Sequence, residues 1–254
     1  MPDSSPEKLV YFFEKDRADG HAGLRELLGG KGADLAEMSR LGIPVPPGFT
    51  LTTAACLQYF QEGDRLWMAL EKQIESAIAR LEKVQNKSFG DAKNPLLVSV
   101  RSGARSSMPG MMDTILNLGL SPEVTEGLAP LTGNPRFAWD CFRRLVQMYA
   151  DVVLGVDGSL FEKALEETRA RRGVAEDSQL LAEDLEELSR RFLAIVKGVG
   201  GVDFPLDPKA QLLGAIGAVF RSWKNERAVT YRRLHRIPSD WGTAVTVQAM
   251  VFGN

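Results

Sequence analysis

Apolar positions along the chain follow two rhythms, and the change from one to the other predicts where helix and sheet lie. Across residues 54–85, Leu66, Leu70, Ile74, Ile78 and Leu81 recur at helical spacing with charged residues between them, which predicts a packed amphipathic helix with a wet charged face. The same rhythm predicts helices over residues 137–153, 160–171 and 180–199. In the last of these, Leu181, Leu185, Leu188, Phe192 and Ile195 align on one side before Gly198, Gly200 and Gly201 break the pattern. A further helix is expected over residues 208–233, burying Leu212, Ile216, Val219, Phe220 and Trp223. Strands show a period of two. Val245, Val247, Ala249 and Val251 alternate with Thr246, Gln248, Met250 and Phe252 over residues 243–252, and residues 96–100 form a short apolar run of interior-strand length.

Nearer the start, Leu35, Met38 and Leu41 predict a helix from about residue 32 to 41, preceded by a glycine-rich turn. Pro44, Pro46, Pro47 and Gly48 end it and lead into a strand over residues 49–52. Strand-bearing ends around a long helical middle predict the α+β class. Residues 1–120 and 207–254 form one α+β subdomain in this reading, and residues 121–206 are an inserted subdomain of three or four helices.

Charge narrows the function classes. The 254 residues carry 31 basic and 33 acidic side chains, a formal charge of −2, so nothing in bulk attracts nucleic acid or an anionic membrane. Arg169, Arg171 and Arg172 beside Glu166 and Glu167 read as a solvated helix end. Arg221, Arg227, Arg232, Arg233 and Arg236 are interrupted by Trp223, Glu226 and Tyr231, without the stacking pattern of a single-strand reader. Cys56 and Cys141, far apart in amphipathic stretches, are expected to be buried free thiols of a reducing compartment. Residues 1–10 have neither a signal core nor a presequence pattern, and no run approaches the ~20 apolar residues of a membrane span. A cytoplasmic protein is expected.

The chemistry concentrates where the 96–100 strand runs into a loop bearing Arg101, Ser102, Gly103, Arg105, Ser106, Ser107 and Gly110. Glycines and hydroxyls let backbone N–H groups approach phosphate oxygens, and arginine offers a planar fork of donors to them. An Arg-Ser-Gly triplet by itself reads more simply as a solvated strand exit. Gly29-Gly30-Lys31-Gly32 places a lysine between glycines before a helix, either a phosphate clamp or a plain tight turn. It is not a Walker A motif, since Gly32 follows the lysine. Arg101, held at a strand end, is the stronger phosphate candidate, with pairing to a carboxylate such as Asp113 as its alternative, and Met108, Met111 and Met112 could be core filling. His21 and His235 have no metal-ligand spacing and read as surface residues.

The longer string RSGARSSMPGMMDTILNLG resembles the glycine-rich nucleotide loop of the pyruvate, phosphate dikinase family. LLGGKGADLAEMSRLGIPVPPGFTLTT, VFRSW, YRR, IPSDWGTAV and VQAMVFGN extend the likeness over nearly the whole chain, with GNPRFAWDCFRRLVQMYADVV the best-matching middle stretch. The Met-Pro-Gly-Met-Met-Asp core is its most specific element; phosphoenolpyruvate synthase resembles only the Ser-Val-Arg-Ser beginning. The resemblance implies a partial ATP-grasp nucleotide-binding domain with a helical insertion. It also implies a transferase that interconverts ATP, phosphate and pyruvate with AMP, pyrophosphate and phosphoenolpyruvate through a carrier histidine on a separate domain.

Carried over residue by residue, Lys31 takes the place of the family's ATP-phosphate-contacting lysine and Arg101 that of its nucleotide-binding arginine. These two are the catalytic clamps. Ser102, Gly103, Ser106, Ser107, Gly110 and Met111 complete the nucleotide-binding flap, with Gly110 as a backbone donor. ATP and Mg²⁺ are the implied cofactors. The acidic metal ligands, the phosphohistidine domain and the pyruvate-binding domain are expected outside this sequence, which ends at Gly253-Asn254 in what reads as a continuing sheet. The complete enzyme is expected to be a homodimer, and the chain alone a fragment without full turnover. A non-catalytic docking module and another ATP-grasp phosphotransferase such as phosphoenolpyruvate synthase remain as alternatives.

Overall fold

A computed structural model of the chain describes residues 7–252. The path runs through β1 (Val10–Glu14), β2 (Arg17–Ala18), α1 (Arg25–Arg40), β3 (Gly48–Leu51), α2 (Thr53–Gln61), α3 (Met68–Gln85), β4 (Ser88–Phe89), β5 (Pro95–Leu96) and β6 (Val98–Gly103). It continues through β7 (Thr114–Leu118), α4 (Pro122–Thr132), α5 (Pro135–Val152), α6 (Gly158–Arg172), α7 (Ala182–Gly200), α8 (Pro208–Ser222), α9 (Glu226–Leu234) and β8 (Ala244–Ala249). The mixed helix-and-sheet class expected from the patterning is the class the chain adopts.

The chain forms two compact units. One comprises the described parts of Met1–Asn86, Val98–Thr114 and Ile216–Asn254; the other comprises Lys87–Leu97 and Ile115–Ala215. In the first, the sheet order is β2-β1-β3-β8-β6. The last strand in sequence is therefore an interior one, antiparallel to both neighbours, with Val247 opposite Phe49 on one side and Val100 on the other. All six residues of β8 are buried, Thr246 and Gln248 included. The alternation in residues 243–252 marks two faces correctly, but both are covered, and the strand stops at Ala249 before Met250 and Phe252.

Two expected helices are each divided. Residues 54–85 become α2 and α3, because Gly63 (φ 73°) and Asp64 (φ 59°) turn the backbone left-handed between them and leave Leu66 in the connection. Thr52 starts α2 by accepting the Ala55 N–H at 3.1 Å. Residues 208–233 become α8 and α9, separated at 223–225, where the Trp223 carbonyl accepts Arg232 Nη1 at 2.6 Å. The Trp223 indole N–H donates to the Ser239 carbonyl at 2.9 Å, so the break is closed by side chains.

The second unit contains α4 to α7, with Phe142, Phe161, Phe192 and Leu185 fully buried among them. Phe161 and Phe192 meet edge to face at 4.9 Å. The Arg169, Arg171 and Arg172 cluster at the end of α6 is more than a solvated end. Arg169 pairs with Asp177 at 3.2 Å and Arg171 with Glu187 at 2.7 Å, while Arg172 pairs with buried Asp184.

Cys56 and Cys141 are free and buried, one in each unit. Burial pushes both thiols up to about 12. At pH 8 each is therefore expected to react with a disulfide reagent roughly a thousandfold more slowly than in the unfolded chain. Labelling followed by peptide mapping across a urea series checks this, with each cysteine reporting its own unit. Fast labelling of the native chain at either position would contradict the burial argument. Among the described residues, no helix is long and apolar enough to cross a membrane.

Candidate functional site

The site begins at a break inside α1. Gly29 has φ 66° and ψ 176°, far from helical values, so the helix stops and restarts at Gly30. The expected glycine-rich turn is thus compressed to one residue, and helical residues begin at Arg25 instead of near Gly32. The cause is the end of β6. A Cβ on Gly29 would lie 1.5 Å from the Gly103 carbonyl oxygen, and the Gly30 N–H donates to the Ala104 carbonyl at 3.0 Å. Gly32 is packed against the Thr50 side chain, less tightly, with Cγ2 2.7 Å from where an added Cβ would lie. The glycines let helix backbone touch strand backbone, and that contact places Lys31.

Lys31 Nζ donates to the Ser102 carbonyl at 3.0 Å. Burial holds its ammonium below the usual lysine range, and the nearby Arg101 charge lowers it further. Two cations set together in this way favour an anion. A cavity of about 500 Å³ opens beside them, lined by Lys31, Ser102, Gly103, Ser106, Ser107 and Gly110 from the expected set. Met108 and Met111 bracket Pro109-Gly110 in a turn, with the Met111 N–H donating to the Met108 carbonyl at 3.2 Å. Gly110 has φ 72°, as the third position of a type II turn requires.

Two expected site residues do not line this cavity. Arg101 lies on β6 opposite Thr246, and its Nη2 donates to Gln248 Oε1. Gln248 Nε2 in turn donates to the Pro46 carbonyl at 2.9 Å, which fixes the amide that holds the arginine. The alternative partner of Arg101, Asp113, instead pairs with Arg227 and accepts from Asn225 Nδ2 at 3.2 Å. Met111 packs with Met112 against the cluster of Met108, Trp223 and Ala228, the core-filling role that the residue type also permitted.

Three charged residues of the cavity were not among the expected ligands: Arg25, Asp34 and Arg105. Arg25 pairs with Asp34 at 2.8 Å. The guanidinium of Arg105 lies over the Trp241 ring, 5.3 Å from its centroid. Arg25 was hidden because the helix was expected to start after it. Arg105 belonged to the recognised loop, but a loop has no period to say which side chains turn inward. Both histidines lie at the surface, as expected: His21 Nδ1 accepts the Gly23 N–H at 3.1 Å, and His235 stacks on Tyr231 at 4.1 Å. Among the described residues there is no group of three or more His, Cys, Asp or Glu that could hold a metal ion.

The donor set fits a phosphate chain. It combines ammonium, guanidinium and hydroxyl groups, and the Nε atom of Arg105 is buried without a hydrogen-bond partner. The family model described as pyruvate phosphate dikinase, AMP/ATP-binding domain, matches residues 25–87 and 66–254. The chain belongs to this family. It is 56% identical to pyruvate, phosphate dikinase of Clostridium symbiosum over 248 residues, covering 97% of this chain and 28% of that protein. Identity to the Rhizobium meliloti dikinase is 54% with the same coverages, and to the chloroplastic dikinase of Mesembryanthemum crystallinum 47%, over 100% of this chain and 27% of that protein. The chain thus spans little more than a quarter of the length of these relatives. Both motifs that line the cavity, Gly29–Gly32 and residues 101–114, fall within the dikinase family match.

Proposed function

We propose that the chain binds ATP as the nucleotide-binding part of a pyruvate, phosphate dikinase and contributes to phosphoryl transfer to a carrier histidine outside this sequence. The observation that carries the reading is the glycine-enforced contact of α1 with β6, which sets Lys31 Nζ against Ser102 at the wall of a cationic cavity. ATP, when bound, supplies the phosphoryl group, and phosphoryl transfer needs mainly alignment and charge neutralisation. In this reading Lys31 and Arg101 are electrostatic clamps. Ser102, Gly103, Ser106, Ser107 and Gly110 form the flap, and Met111 anchors it from beneath. Mg²⁺ accompanies the nucleotide, its carboxylate ligands lying elsewhere in the whole protein.

The division of labour follows the same reading. Residues 1–120 with 207–254 act as the nucleotide subdomain, and residues 121–206 as a helical insertion. The complete protein interconverts ATP, phosphate and pyruvate with AMP, pyrophosphate and phosphoenolpyruvate, as a cytoplasmic homodimer carrying phosphohistidine and pyruvate-binding domains.

Calorimetric titration with Mg-ATP tests the nucleotide reading. The chain is expected to bind weakly by itself, and Arg101→Ala about tenfold or more weakly still, since hydrogen bonds to charged groups contribute about 1.5–3 kcal/mol. Indistinguishable or null titrations would leave only a docking module.

A further inference from the structure

The loop between β6 and β7 is held down by its methionines. Met108, Met111 and Met112 pack with Trp223 and Ala228 at the junction of α8 and α9, beside Tyr231 and Trp241. Met108 is buried, whereas Met112 is half-buried and lines the cavity, from which a small solute can reach its thioether. The Met112 sulfur lies 3.9 Å from Ser222 Oγ, but the single proton of that hydroxyl is committed to the Val219 carbonyl at 2.7 Å. The Trp223 indole N–H is committed as well, to the Ser239 carbonyl at 2.9 Å. Neither donor is free to meet a new polar atom on Met112. The two thiols of the chain are poor competitors for an oxidant, since Cys56 and Cys141 are buried and held in the protonated form.

We propose that Met112 is a site of reversible oxidation by hydroperoxides, and that its sulfoxide releases the loop from the α8–α9 junction. A sulfur lone pair attacks one oxygen of hydrogen peroxide, so the S–O bond forms as the O–O bond breaks. The departing hydroxide takes the proton of the transferred hydroxyl and leaves as water; sulfur loses two electrons and the peroxide gains them. The product is a polar side chain where a flexible apolar one had packed. Kept in the cluster, its oxygen lacks a hydrogen-bond donor, and that penalty falls on the docked loop alone, because water satisfies the oxygen once the loop lifts. The same loop carries Ser106, Ser107 and Gly110 of the cavity wall, so its release weakens the anion site. This last consequence rests on the nucleotide reading; the oxidation and the loop release do not.

The test treats the chain with hydrogen peroxide and follows each methionine by peptide mass mapping, the loop by backbone hydrogen exchange, and Mg-ATP binding by calorimetry. Met68, 71% exposed, is expected to oxidise first and to leave the loop unchanged. Oxygen added at Met112 should then speed exchange in residues 104–112 and weaken Mg-ATP binding about tenfold or more. Methionine sulfoxide reductase with dithiothreitol should reverse both changes, and saturating Mg-ATP should slow oxidation at Met112 but not at Met68. Met112→Leu, whatever its starting affinity, is expected to show neither change on peroxide treatment. A Met112 left unmodified at a dose that oxidises the half-buried Met38 and Met148 overturns the inference. So does an oxidised Met112 with unaltered loop exchange, or an equal response in Met112→Leu. Should Met112→Leu fail to fold by circular dichroism, loop exchange in wild type plotted against the oxidised fraction of Met112 decides instead, and a lack of proportion overturns it. If untreated wild type binds no Mg-ATP, the nucleotide reading fails while loop exchange still decides the oxidation site.

Discussion

Gly29→Ala is expected to destabilise the unit built on the β2-β1-β3-β8-β6 sheet by about 3 kcal/mol or more and to abolish phosphate binding. Two costs combine. The backbone conformation at Gly29, φ 66° with ψ 176°, is essentially open only to glycine and costs another residue about 1–3 kcal/mol. The new methyl group would also meet the Gly103 carbonyl oxygen at 1.5 Å, and neither partner is a flexible side chain that can swing away. Forced overpacking of this kind costs about 1–3 kcal/mol more. Relief requires α1 to move off β6, which breaks the Gly30 to Ala104 hydrogen bond and withdraws Lys31 from Ser102. Urea unfolding followed through Cys56 labelling measures the loss in this unit. Gly110→Ala is the control: its φ is also positive, at 72°, but an added Cβ would meet nothing within 4 Å. Equal losses at the two positions would show that the contact with β6 is not what the glycine serves.

Lys31→Met is expected to weaken Mg-ATP binding about tenfold to a hundredfold while leaving the ligand-free chain as stable as before, or slightly more so. The direction follows from the ammonium being held below its ordinary value by burial and by Arg101. Between that lowered value and 10.5 the unfolded chain binds the proton more tightly than the folded one, so the charge at Lys31 is a cost to the empty fold. Stability of the empty chain therefore rises with pH through this window. An anion in the cavity reverses the preference by favouring the protonated form. Affinity is then fully present below the lowered value and lost as pH rises through it. Melting midpoints with and without Mg-ATP, taken across the alkaline range for wild type and Lys31→Met, separate the two effects. An affinity in wild type that does not fall with rising pH would remove Lys31 from the clamp.

The resemblance in residues 96–119 located the site, because Met-Pro-Gly-Met-Met-Asp is a long and specific string. Several of its details were legible as chemistry alone: Lys31 between glycines, the hydroxyls of Ser106 and Ser107, and Gly110 at a turn all come to the cavity wall. Arg101 is placed differently. Its strand position was legible, but its fork is drawn to Gln248, a residue 147 positions away. No local spacing could have joined those two. Arg25 and Arg105 were missed for the complementary reason, since a basic residue in a loop or before an expected helix start carries no sign of the direction in which it points.

Periodicity determined what depends on neighbours in sequence: the helical middle, the alternating last strand, the buried free cysteines and the α+β class. Each follows from which side chains share a face within a few residues. Tertiary structure decided what depends on close approach between distant segments. It made β8 an interior strand between β3 and β6, broke α1 at Gly29 because β6 backbone occupies the space, and left Arg105 at the cavity with Trp241 behind it. Glycine in the sequence announces that a close approach or an unusual φ is permitted; only the folded chain shows what fills the space where a side chain would have been.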